Sequence, residues 1–173
     1  VRMKHLLSSR GKIVNGWSTS DGEIGTFGNN YLQRAAIALI GLAANPTVDA
    51  VYIGSVADTD NEKLDGSRSY VVHFEQGKLP PAHAFWSITA YDNEGFMMSN
   101  DLNRFGIRSR DDVTYNADGS LDIYFAPQCP SGAPESNWIP SLHGPVALQF
   151  RLYSPAEAYL NGSWQPPGIQ RIN

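Results

Sequence analysis

The chain has 173 residues, a length that fits one domain able to bury a core without disulfide staples. Its 13 lysines and arginines against 17 acids leave a net charge of −4, which argues against a nucleic-acid partner, since that needs a clustered basic face. The single cysteine, Cys129, excludes an internal disulfide and leaves the redox compartment open. The longest apolar run, Ala35 to Ala44, is about half the ~20 residues of a membrane span, so no span is expected.

No positively charged start followed by an apolar stretch is present, so no signal peptide is expected. The start at Val1 suggests a piece of something longer. Charged residues make up 17%, below the usual ~25%, and 16 glycines with 11 prolines suggest short strands and many loops. In chain order, residues 1–28 show little periodicity, and Gly16 to Gly28 reads as an irregular lead-in. A helix follows over about 30–45. Asn30 caps it with Gln33 three residues on, and Tyr31, Ala35, Ala38, Leu39 and Leu42 share one face. Pro46 forces Asn45 out of helical geometry and ends it.

The period then becomes two. Ala50–Asp58 and Ser69–Glu75 read as strands joined by a polar turn, followed by Ala84–Asp92 and a turn at Asp92–Gly95. Asn116–Gly119 turns "DVTY" into Ser120–Pro127, and Pro145–Pro155 is the last clear strand. Six or seven short strands and one helix predict a mainly β chain: a single domain over 1–173, a jelly-roll-like antiparallel β-sandwich with an N-terminal α-helix covering an edge or end.

No nucleophile elbow, phosphate-binding loop, dinucleotide fingerprint or zinc-protease motif occurs. His5, His73, His83 and His143 are scattered, so neither metal nor cofactor is expected. Asp58, Asp60, Glu62 and Asp65 alternate like calcium ligands, but Lys63 stands where the calcium loop needs glycine, which favours a solvated hairpin tip. Cys129 lies between prolines with no base nearby, and Asn161-Gly-Ser matches a glycosylation sequon, though Asn-Gly favours reading it as a turn.

Three sets carry candidate chemistry. Arg104, Arg108 and Arg110 fall within "NRFGIRSR", where guanidinium forks could grip an anion. The structural reading pairs Arg108 and Arg110 with Asp101, Asp111 and Asp112 and gives Arg104 to loop carbonyls. Asn137 and Trp138, beside Glu135, suit a sugar by stacking and hydrogen bonding, or else plug one end of the sandwich. His73, Thr89, Tyr91, Tyr124, Gln149, Arg151 and Tyr153 sit at alternate strand positions. Facing inward they would line a polar pocket; facing outward they form a solvated sheet face.

The stretches "FGNNYLQRAAIALIGLAANPTVDAVY", "YVVHFEQGKLPPAHAFWSITAYDNEGFM", "NRFGIRSRDDVTYNADGSLDIYF", "NWIP" and "FRLYSPAEAYLNGSWQPPGIQRI" closely resemble the domain of unknown function 1214 family, from about Gly16 to Ile172. The resemblance implies a jelly-roll-like sandwich from bacteria, often oligomeric, sometimes exported to the periplasm or medium, and usually following a companion N-terminal domain, domain of unknown function 1254. It implies no reaction. The expected function is therefore a non-catalytic module for a glycan or small anionic or polar ligand, or for assembly. Its candidate contacts are Arg104, Arg151, Tyr91, Tyr153, His73, Trp138 and Asn137. The alternative is a hydrolase- or lyase-like enzyme using a polar pocket in the sandwich.

Overall fold

The computed structural model describes residues 11–20, 24–141 and 143–172; His5 and the remainder of the lead-in lie outside them. Among the described residues ten strands form two sheets. The larger runs β1 (Gly11–Val14), β2 (Trp17–Ser20), β3 (Ala50–Ser55), β9 (Val146–Pro155), β5 (Ala82–Asp92) and β6 (Gly106–Arg108), with every pair antiparallel. The smaller runs β10 (Ile169–Ile172), β4 (Ser69–Phe74), β7 (Leu121–Ala126) and β8 (Trp138–Pro140), in which β7 and β8 pair in parallel. The sandwich is thus mainly β, as expected, but mixed at one edge.

Alternation explains how the sheets face each other. On β9, Val146, Leu148, Phe150 and Leu152 are buried while Ala147, Gln149, Arg151 and Tyr153 take the other side. Ile53, Trp86 and Ile88 from the larger sheet meet Val72, Phe74, Ile123 and Phe125 from the smaller in one apolar cluster. Phe150 sits centrally, its ring 6.1 Å from those of Trp17, Trp86 and Trp164.

The expected irregular lead-in contains a hairpin. Asn15 (φ 51°) and Gly16 (φ 82°) make a two-residue turn of the kind that matches strand twist, with Val14 opposite Trp17. Trp17 is buried in the core, and its Nε1 donates to the Pro167 carbonyl at 2.7 Å. β3 and β4 belong to different sheets, and the crossing between them forms an exposed antiparallel tip of its own, with Ala57 bridging Lys63 and Leu64 N–H donating to the Val56 carbonyl at 2.9 Å. There the buried Asp58 carboxylate accepts from the backbone N–H groups of Asp60 (3.0 Å) and Glu62 (2.9 Å), so it folds the crossing. The turn at Asn116–Gly119 forms, with Gly119 at φ 80°, but "DVTY" is not a strand. Its Thr114 backbone bonds to the Asn137 side chain instead of to a ladder.

The helix, α1 (Tyr31–Ile40), is shorter than expected. Asn30 caps it, its Oδ1 accepting from the Gln33 N–H at 3.2 Å. It stops before Pro46 because Gly41 leaves helical geometry and Ala43 turns to φ 63°. The face expected to pack is open. Tyr31, Ala35, Ala38, Leu39 and Leu42 are exposed, and the helix buries Ala36. Among the described residues no helix is long and apolar enough to cross a membrane.

Candidate functional site

The polar strand positions divide between the two outer faces, so the interior of the sandwich is apolar and holds no polar pocket among the described residues. On the larger sheet, Arg151 lies on β9 between Tyr52 of β3 and Ser87 of β5. β9 is bonded on both sides, which fixes the height and direction of this side chain. Arg151 Nη2 donates to the Tyr91 hydroxyl at 2.8 Å and Nη1 to Thr89 Oγ1 at 3.3 Å, and the guanidinium carbon lies 5.5 Å from the Tyr91 ring centre. Two of its five N–H donors are thereby used.

One row along lies an aromatic cluster. Phe85 and Tyr153 face each other across β5 and β9 and stack at 4.3 Å with 22° between planes. Tyr52 meets Tyr153 edge-on at 6.5 Å, and Arg110 covers Phe85 at 5.0 Å. Asn45 holds the Tyr52 hydroxyl at 3.1 Å. Ring faces are thus spent on one another and on Arg110. Burial, followed by the adjacent Tyr52, pushes the Tyr153 phenol above its ordinary value. On the other side of Arg151 the surface is low, with Gly54 opposite Gln149 and Thr89 opposite Gly106. A Cβ at Gly106 would collide with the Ile88 carbonyl oxygen, so the close approach of β6 requires glycine.

The outer face of the smaller sheet carries His73, Asp122, Tyr124 and Trp138. His73 Nδ1 is 2.6 Å from Asp122 Oδ1, and Asn116 Nδ2 donates to Asp122 Oδ2 at 2.9 Å. Burial, then the Asp122 charge, raises the Tyr124 phenol. Trp138 is outward beside Tyr124 rather than plugging the core, its Nε1 donating to the Ala126 carbonyl at 2.9 Å. Asn137 is buried and committed. It accepts from Thr114 N (2.8 Å) and Ser136 Oγ (2.9 Å) and donates to the carbonyls of Thr114 (2.7 Å) and Asp122 (2.9 Å). No group on its amide is left for a ligand.

Arg104 sits at one end, its Nη1 donating to the carbonyls of Glu135 and Trp138, so it ties loops together as the structural reading expected. A groove of about 300 Å³ beside it is lined by Phe105, Arg108, Asp111 and Ser136. The same reading fails for Arg108 and Arg110. Among the described residues neither has a carboxylate within 4.0 Å, and Asp111 Oδ2 accepts instead from the Arg108 backbone N–H at 2.9 Å. The fold therefore assembles Arg151, Tyr91 and Tyr153 from the expected set and separates them from His73, Trp138, Asn137 and Arg104. Tyr52, Phe85 and the Asp122 partner of His73 escaped the sequence reading because they meet their partners only through strand register. Among the described residues no three His, Cys, Asp or Glu side chains gather as metal ligands.

Fold and site together define a two-sheet β module whose broader outer face carries arginine and aromatic side chains. By sequence, the chain belongs to the family described as "Protein of unknown function (DUF1214)", which matches residues 49–157. The VPA0106 protein of Vibrio parahaemolyticus is similar in structure, with a TM-score of 0.72 and 28% identity over 99% of this chain and 42% of that one. An uncharacterized protein from Burkholderia cenocepacia shares the fold, with a TM-score of 0.50 and 18% identity over 80% of this chain and 32% of that one. The chain thus spans less than half the length of both. No curated protein matches it closely enough to count as a relative.

Proposed function

We propose that the chain is a non-catalytic module that binds a polar ligand, a glycan first among them, on the outer face of its larger sheet. The observation that carries this reading is Arg151, held in place by Tyr91 and Thr89 with donors to spare, beside the Phe85–Tyr153 stack. Ordered donors and rigid aromatics lose little entropy when they meet a ligand. An enzymatic reading needs Arg104, His73 and Arg151 around one cavity, and they lie at an end and on opposite faces. Because the chain spans 42% of the Vibrio protein, such a module would act beside a companion domain. A screen of oligosaccharides by calorimetry, with Arg151→Ala and Tyr153→Ala as controls, tests the reading. Binding that falls at least tenfold in both variants, with unchanged thermal unfolding, is the expected result. Retention of full affinity in both would move the site elsewhere.

A further inference from the structure

We infer that the ligand of this face is an acidic oligosaccharide, read through its carboxylates by Arg151 and Arg108; the inference rests on the binding face proposed above. Arg108 points outward because its neighbour Ile107 is buried, and it lies in the same cross-strand row as Arg151 with Ser87 between them. Arg110 lies over Phe85 in the next row. The chain is acidic overall, yet no acid occupies an outward position of β3, β9, β5 or β6. Among the described residues none of the three arginines has a carboxylate within 4.0 Å.

Arg151 is half-buried with only neutral partners, so its charge lacks a counterion that the ligand can supply. A guanidinium fork fits the two oxygens of a carboxylate. Arg151 and Arg108 are two strands apart, about 10 Å, which one carboxylate cannot bridge and a chain of acidic sugars can. Beside Arg151, Thr89 and Gln149 offer hydroxyl and amide partners, and Gly54 and Gly106 add no side chains of their own.

The test uses the 173-residue chain and titrates it with oligogalacturonate, its fully methyl-esterified form, a neutral oligoglucan and oligoglutamate. The free acid should bind, weaken several-fold between about 50 and 300 mM salt, and bind at least tenfold better than the ester. Arg151→Gln should lose at least tenfold and Arg108→Gln less, while Arg151→Lys recovers part of the loss and shows that the face still folds. If ester and acid bind alike, the charge inference falls and the glycan face survives. If oligoglutamate binds as well as the uronate, the saccharide assignment falls. If no saccharide binds, both this inference and the proposed face are overturned.

Discussion

Arg104 and Arg108 stand four residues apart and play opposite parts. Arg104 lends its guanidinium to the carbonyls of Glu135 and Trp138, so its truncation leaves charged-donor hydrogen bonds unmade. Arg104→Ala should cost about 2 kcal/mol in urea unfolding and leave ligand affinity intact. Arg108→Ala should do the reverse. At the same scale, Asp65 is held below the usual carboxylate range, first by the Ser67 hydroxyl (2.7 Å) and then by the Ser67 N–H (2.8 Å). A carboxyl whose folded pKa is lowered adds stability above its unfolded value, and that stability is lost as pH falls through the folded value. Ser67→Ala should therefore lower the urea midpoint at pH 7 while narrowing the gap between pH 7 and pH 3. An unchanged gap would show that the Ser67 hydroxyl takes no part in the acid sensitivity.

At the scale of elements, the hairpin of β1 and β2 depends on Asn15-Gly16. A Cβ at Gly16 would demand a left-handed conformation and press on the Ala57 carbonyl at 3.3 Å. Gly16→Ala should cost about 1–2 kcal/mol, because the turn places Trp17 in the core. The helix behaves differently. Leu39 is 61% exposed, so Leu39→Lys should shift stability by no more than about 0.5 kcal/mol, whereas the sequence pattern alone would predict a core-sized loss. Thermal unfolding of the two variants side by side separates the cases.

For the whole molecule, the two sheets meet through one aromatic centre. Phe150 stacks with Phe74 across the sandwich at 6.4 Å and touches the rings of Trp17, Trp86 and Trp164. Phe150→Ala should cost about 4 kcal/mol, enough to unfold a marginal domain at 37 °C. A loss below about 1 kcal/mol would mean the sheets do not share this core.

Alternating side chains determined β3, β4, β5, β7 and β9 from the sequence, because a strand half in the core must repeat every two residues. The helix cap at Asn30 was equally legible, since capping is local chemistry. The hairpin could have been read from Asn15-Gly16, a turn signal obscured by the glycines that follow. The strands β6, β8 and β10 are three or four residues long, too short for a period to register. What only the tertiary structure decided is which side each polar residue takes and whom it meets. Alternation defines two faces but not which one the second sheet covers, and strand register, which couples residues far apart in the chain, alone brings Arg151 to Tyr91 and His73 to Asp122.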